Sequence, residues 1–223
     1  MKITYLGHSC FCLEFKNGVR LITDPYTGVG YELPKVKADI VTVSHGHFDH
    51  NYLAAVSDYA LVANEAKSYS FKGIEIEGIE SFHDPKGGAL RGKNVIFKIQ
   101  GDGLTVCHLG DLGEPYSQEL KDRIGAADIL LLPIGGTYTV DADEAKRYAQ
   151  RLAVKKVIPM HYRPNDGKLD IDGSARFLKL FEESEIEPFE NGREITEKDI
   201  TKEKALVLYM ERRKTKDEGL YEI

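Results

Sequence analysis

At 223 residues, with 42% hydrophobic and 30% charged side chains, the chain has an ordinary globular composition and enough length to bury a sizeable core. Thirty Lys and Arg against 36 Asp and Glu leave a formal net charge of −6, which argues against a general binder of extended nucleic acid, because that role needs a broad basic surface. No run is long enough to span a bilayer, the start Met1–His8 lacks a secretory apolar core, and three cysteines suit a reduced compartment, so a cytoplasmic protein is expected.

Lys2–Gly7, Cys10–Lys16 and Val19–Thr23 read as three short strands. Asn17-Gly18 joins the last two as a tight hairpin, since both turn positions need positive φ. Cys10 and Cys12 share a strand face and read as small core side chains, and Cys107 lies in another apolar strand. Asp24 stops at the end of Leu21-Ile22-Thr23, and the stretch 26–37, rich in Gly, Pro and Tyr, reads as a loop. Ile40–Ser44 reads as a strand buried on both faces, followed by a helix over Tyr52–Tyr59 and a strand over Ala60–Ala63. Lys72–Glu77 and Gly78–Phe82 read as two strands that end at His83-Asp84-Pro85, before a basic, glycine-rich loop over 86–93. Asn94–Gln100 and Leu104–Leu109 form a hairpin, and its second strand runs into Gly110-Asp111.

Helix and strand then alternate. Ser117–Ile124 reads as a helix, Asp128–Leu132 as a buried strand and Lys156–Met160 as a strand that ends at His161. Asp141–Leu152 is the clearest helix: Asp141 can cap it with Glu144 at the third helical position, and Ala142, Ala145, Tyr148, Ala149 and Leu152 share a face. A helix over Ile171–Phe181 and a late strand over Ala205–Met210 come next. Glu190–Lys204 and the tail from Glu211 are polar and read as peripheral. One domain over 1–223 is therefore expected, with its core in residues 1–185. The element order predicts two sheets packed face to face with helices outside.

Chemistry concentrates in His45-Gly46-His47-Phe48-Asp49-His50, directly after a β-branched apolar run. Imidazole with carboxylate suits a borderline divalent cation such as zinc, and the spacing is too tight for one ion to use all four side chains. His45 and His47 can face one ion while Asp49 and His50 fall to a neighbour. A metal-free polar turn is the plain alternative, but four ligand-type residues in six, in a chain of seven histidines, weigh against it. Asp24, His83, Asp111 and His161 also stand at strand ends, and one rim of a sandwich would gather them. No Gly-x-Ser-x-Gly turn offers a nucleophilic serine.

In that order, Asp24, the His45–His50 motif, His83, Gly110-Asp111 and His161 resemble the signature of the metallo-β-lactamase fold superfamily. Gly7-His8-Ser9, Pro133-Ile134-Gly135-Gly136-Thr137-Tyr138-Thr139 and Pro159-Met160-His161-Tyr162 make the chain most similar to small bacterial metal-dependent hydrolases related to ascorbate phosphate lactonase. The resemblance implies an αββα sandwich of two mixed sheets with helices on the outer faces. It implies two divalent cations, zinc foremost, with manganese, nickel and iron as alternatives. His45, His47 and His83 would hold the first, Asp49, His50 and His161 the second, and Asp111 would bridge them. Asp24 would fix a ligand or its loop from behind.

His108 alternates with Leu104 and Val106 on an apolar strand face, and is expected to support a ligand by hydrogen bonding rather than bind metal. His8 either faces the cleft, touching substrate or an extra metal position, or is a plain turn histidine. Asp49 is the expected proton acceptor or relay. Lys86, Arg91 and Lys93 either solvate their loop or clamp an anion, with the forked guanidinium of Arg91 best suited. Thr137, Tyr138 and Thr139 either donate to substrate oxygens or cap their turn.

The implied reaction is hydrolysis of a small ester, lactone or phosphodiester by a hydroxide activated at a binuclear centre. The partner is then a small molecule, anionic if Arg91 is a clamp, and a homo-oligomer is compatible with the sequence. Two other readings stand beside it. One is a nuclease with a local groove, disfavoured by the acidic charge. The other is an iron-binding redox module of the same fold, disfavoured because flavin-coupled di-iron relatives carry Glu where this chain has His47.

Overall fold

In a computed structural model, which describes residues 1–196, 198–201 and 206–211, the chain opens with the antiparallel strands β1 (Lys2–Gly7), β2 (Cys10–Glu14) and β3 (Arg20–Thr23). A two-residue strand β4 (Val36–Lys37) precedes β5 (Ile40–Thr42), and another, β6 (Val56–Ser57), precedes β7 (Leu61–Ala63). β5 and β7 join β3 in parallel, giving a five-stranded sheet of order β1-β2-β3-β5-β7. β4 and β6 pair only with each other.

The second sheet starts as a meander of β8 (Ser68–Phe71), β9 (Ile74–Phe82), β10 (Lys93–Gly101) and β11 (Leu104–His108). It continues through α1 (Gln118–Ile124), β12 (Ala127–Pro133), α2 (Ala142–Arg151), β13 (Val154–Met160), α3 (Ser174–Leu178), β14 (Ile186–Pro188) and β15 (Val207–Tyr209). Its order is β14-β15-β13-β12-β11-β10-β9-β8, antiparallel on one side of β11 and parallel on the other.

The two mixed sheets face each other as expected. Ile3, Phe11, Leu13 and Leu21 of the small sheet share one apolar cluster with Ile76, Phe97 and Ile99 of the large one. The Phe11 and His108 rings meet edge-on across the gap, 6.3 Å between centroids. Leu120, Ile124, Ala145, Tyr148 and Phe177 carry the three α-helices into that cluster. The layer over the small sheet is thinner: Cys10, Cys12, Ile22 and Val41 pack against Tyr26, Val29, Leu33, Val36, Ala55 and Val56, all from loops, short strands and a single 3-10 turn. Both cysteines sit on that one face, as their spacing requires.

Local chemistry explains the helix ends. Ser117 Oγ accepts from Leu120 N–H at 3.1 Å, and Asp141 Oδ1 accepts from Glu144 N–H at 2.9 Å. Only half of the expected capping box forms, because the Glu144 carboxylate turns to Tyr116 N–H.

Four expected elements differ. The helix over Tyr52–Tyr59 is replaced by the 3-10 turn Leu53–Ala55 and β6: Pro25 O holds Tyr52 N–H at 2.7 Å, and Val56 pairs with Val36. Lys72–Glu77 and Gly78–Phe82 are one continuous strand from Ile74, and Gly78 marks a close crossing, since a Cβ there would lie 2.3 Å from Glu65 O. The helix over Ile171–Phe181 shrinks to Ser174–Leu178, because Asp172 N–H and O are taken by Gly135 O and Arg163 N–H.

The segment after residue 185 is also not peripheral. Phe189, Ile195, Ile200, Val207, Leu208 and Met210 join the main core. Asn191 clasps Tyr5, accepting from its N–H at 2.7 Å and donating to its carbonyl at 2.8 Å. Of the strand expected over Ala205–Met210, Ala205 lies outside the described residues, as does the tail beyond Glu211.

β1, β3 and β5 run the same way, as do β9, β11 and β13, so their C-terminal ends meet at one rim. Among the described residues, no helix is long and apolar enough to cross a membrane.

Candidate metal centre

The rim is built from the residues just past each strand end. After β3, Asp24 takes a left-handed backbone with φ of 36°, and its N–H donates to Thr42 O at 2.9 Å. Its buried carboxylate then holds both ends of the His45–His50 loop. Oδ1 accepts from Ser44 N–H at 2.8 Å, and Oδ2 accepts from Ser44 Oγ at 2.6 Å and from His50 Nδ1 at 2.8 Å. Burial pushes Asp24 upward, but the His50 hydrogen bond and the neighbouring imidazoles outweigh it and hold the carboxyl below its usual range. With Nδ1 engaged, His50 turns Nε2 inward, the arrangement by which a carboxylate behind a histidine fixes its ring.

Asp111 occupies the middle. Gly110 has φ of 56°, and a Cβ there would lie 2.3 Å from Asn94 Oδ1, the atom that accepts from Asp111 N–H at 2.9 Å. Asn94 is itself fixed by donating to Ser81 Oγ at 2.7 Å and Leu109 O at 2.9 Å. Asp111 Oδ2 then lies 3.2 Å from His50 Nε2, 3.2 Å from His161 Nε2, 3.4 Å from His83 Nε2 and 3.9 Å from His45 Nε2. Burial opposes charge on Asp111, yet the His161 and His50 rings hold it well below the carboxylate range. His50 moves the opposite way: burial lowers it, but Asp111 and Asp24 raise it well above an ordinary histidine.

His8 and His161 complete the rim from opposite sheets. Both have left-handed backbones, φ of 52° and 49°, and His161 N–H donates to His8 O at 2.8 Å. His8 Nε2 lies 3.2 Å from Asp49 Oδ2. Burial, reinforced by His161, lowers His8 to about 4, and burial likewise lowers His45 to about 3. Burial pushes Asp49 up, but its bond to His8 and the charge of His50 prevail and hold it low.

Three donor groups result, each with ligand atoms within 4.8 Å of one another: His45, His47 and His83; His45, His50 and Asp111; and His8, Asp49, His50 and His161. All seven expected ligand residues are thus brought together, and His8 stands with them. His108 falls in none of these groups. Gly110 N–H donates to its Nδ1 at 3.1 Å, so the ring proton sits on Nε2, which donates to Ser9 O at 2.8 Å. Burial lowers its pKa.

The nominated substrate residues Arg91, Thr137 and Tyr138 form a strut. Arg91 Nη2 donates to Thr137 O at 3.0 Å, and its guanidinium lies 5.6 Å from the Tyr138 ring centroid. Thr137 has a left-handed backbone with φ of 51°, while Thr139 Oγ1 donates to Val140 O at 3.1 Å and caps its own turn. The Arg91 loop is wound around Asp84, whose buried carboxylate accepts from the N–H groups of Lys86, Gly88, Leu90 and Arg91. Lys93 pairs outward with Glu80 at 2.8 Å and takes no part in an anion clamp. Phe48, Leu90 and Tyr138 are exposed on these rim loops. Sequence reasoning missed Ser44, Asn94, Asp84 and Tyr31, whose hydroxyl accepts from His8 N–H at 3.0 Å. A buried-strand asparagine and serine were the available signal for the first two.

The donor set fits divalent cations. His161 Nδ1, His83 Nδ1 and Asp111 Oδ1 are buried and make no hydrogen bond among the described residues, while His50 Nε2 and His161 Nε2 both turn to Asp111 Oδ2 at 3.2 Å. Unpaired buried polar atoms of this kind are costly unless something else meets them. Imidazole and carboxylate are the donors that zinc and its neighbours prefer.

Comparison with known proteins agrees. A family model described as a beta-lactamase superfamily domain matches residues 2–161. A UPF0173 metal-dependent hydrolase of Methanoregula boonei is 34% identical over 185 residues, covering 73% of this chain and 82% of that protein. The crystal structure of a candidate zinc-dependent hydrolase of the metallo-beta-lactamase superfamily from Thermotoga maritima superposes with a TM-score of 0.76 at 38% identity, covering 94% of this chain and 97% of that one. An isothiocyanate hydrolase from Delia radicum gut bacteria shares the fold, with a TM-score of 0.65 at 16% identity over 96% of this chain and 98% of that one. Fold, rim and relatives together put the chain in the metallo-β-lactamase superfamily, among its metal-dependent hydrolases.

Proposed function

We propose that the protein hydrolyses a small ester, lactone or phosphodiester with two divalent cations, zinc by donor type. The convergence of four imidazole nitrogens on Asp111 Oδ2, between 3.2 and 3.9 Å, carries the reading. His45, His47 and His83 would hold one cation and Asp49, His50 and His161 the other, with Asp111 between them. Bound there, the cations supply a water acidified from 15.7 to about 7 and a Lewis acid for the electrophile. The remaining work falls to side chains. Asp49, partly open to the cleft, can accept the proton released by the attacking water. The strut of Arg91 on Thr137 and Tyr138 walls the cleft, and the remaining guanidinium N–H groups suit an anionic substituent on a small-molecule substrate.

The test is metal content after mild purification, followed by lactones, phosphodiesters and thioesters assayed with zinc and manganese separately. Two metals per chain and turnover of at least one class are expected, with His47→Ala abolishing turnover in a folded protein. A folded protein that takes up no zinc, manganese, nickel or iron under any loading condition defeats the reading.

A further inference from the structure

His8 is built into the centre more thoroughly than a turn histidine requires. Its side chain is buried, and its ring centroid lies 4.3 Å from that of His161 and 4.9 Å from that of His50. The left-handed backbone is disfavoured for a non-glycine residue. Three hydrogen bonds hold it there: His8 N–H to the Tyr31 hydroxyl, and His8 O receiving both His161 N–H and the Tyr5 hydroxyl. Glycine would meet the backbone requirement at less cost, so the imidazole itself has a use. A ring nitrogen of His8 lies within 4.8 Å of donor atoms of Asp49, His50 and His161, and its Nε2 is 3.2 Å from Asp49 Oδ2.

We propose that His8 is a protein ligand of the second metal position, which becomes a pocket of three imidazoles and a carboxylate. This rests on the binuclear reading above. On loading, the proton that Nε2 shares with Asp49 is lost from that nitrogen, and the ring carries its proton on Nδ1, freeing the Nε2 lone pair. The two positions then differ in kind. The His45–His47–His83 position has an exposed ligand in His47 and no carboxylate of its own. The His8 position is enclosed: Tyr26 packs edge-on to the His8 ring and to Tyr31, and Lys168 N–H donates to Val29 O at 2.9 Å, tying the 163–168 loop down beside it. More donors, a negative charge and less solvent make the enclosed position the tighter one, which fills first.

The experiment titrates metal-free protein with cobalt(II), read by visible absorption and calorimetry, with total metal measured independently. Wild type takes up two equivalents in two steps. His8→Ala weakens the tighter step by more than the roughly 10–100-fold that losing a residue that only orients a ligand costs. His47→Ala weakens the other step instead. His8→Gln keeps an N–H for Asp49 but no imidazole nitrogen, so it behaves as His8→Ala. Recovery of wild-type affinity and spectrum in His8→Gln, or unchanged binding in His8→Ala, overturns the proposal. A readout that leaves His8 intact guards against misfolding: X-ray absorption of singly loaded His47→Ala protein shows three imidazoles on cobalt, and a count of two overturns it. Wild type that binds no cobalt, zinc or manganese defeats the binuclear reading itself, a separate outcome.

Discussion

Asp24, Gly110 and Asn94 show how single residues outside the donor groups decide where the donor atoms point. Gly110→Ala forces a Cβ to 2.3 Å from Asn94 Oδ1 at a positive φ. We expect it to lower metal affinity together with the unfolding temperature of the metal-free protein, measured by calorimetry; unchanged values for both would show that Asn94 does not position Asp111. Protonation offers a second test. His8 and His45, lowered to about 4 and about 3, remain neutral in the native metal-free protein. Their unfolded value lies near 6.5. Between pH 6.5 and 4 the unfolded chain binds protons that the native one does not, so stability falls as pH falls, by up to about 1.4 kcal/mol per pH unit for each group. His50 contributes oppositely: its raised pKa gives stability that is complete below 6.5 and is lost as pH rises through the native value. The melting temperature of metal-free protein should therefore drop on acidification from pH 6.5 to 4, and a flat profile would contradict the neutral assignment. The side chains that meet at the rim were legible because imidazole and carboxylate at strand ends are unusual. Ser44, Asn94 and Tyr31 were not, since a side chain whose role is local hydrogen bonding leaves no periodic trace.

At the scale of elements, strand existence was legible and strand limits were less so. Alternation and buried runs identified β1, β5, β12 and β13, but Gly78 was read as a break where it instead admits a neighbouring backbone. Tyr52–Tyr59 carries helix-compatible spacing that tertiary pairing of Val56 with Val36 overrides. The Arg91 loop shows the converse, a segment without repeating pattern that is nonetheless tightly organised. Asp84→Ala removes the acceptor of four backbone N–H groups at once. Because Asp84 is itself no member of the donor groups, we expect metal content to stay near wild type while KM rises several-fold through a loosened Arg91–Tyr138 strut. Loss of metal in that variant would show that the loop supports His83 rather than substrate.

For the whole molecule, the chain after residue 185 is where sequence reasoning fell furthest short. Its apolar residues Phe189, Ile195 and Ile200 stand singly among charges and carry no period, although each is buried in the main core. Asn191 closes the distance between that segment and the first strand by pairing with Tyr5 as a neighbouring backbone would. Truncation after residue 185 should therefore give aggregated or unfolded protein by size exclusion and circular dichroism. A truncated monomer with native spectrum would show that residues 1–185 suffice for the fold.

β15 also has a consequence for the order of events during synthesis. It lies between β14 and β13, and it pairs Val207 with Val157 on the strand that ends at His161. A growing chain exposes every candidate ligand from the ribosome once residue 161 has emerged. At that moment β13 has no neighbour on its outer side, and the strand that supplies one emerges more than forty residues later. The nascent protein therefore passes through a stage in which it displays every candidate metal ligand on an unfinished sheet, before its last strand arrives.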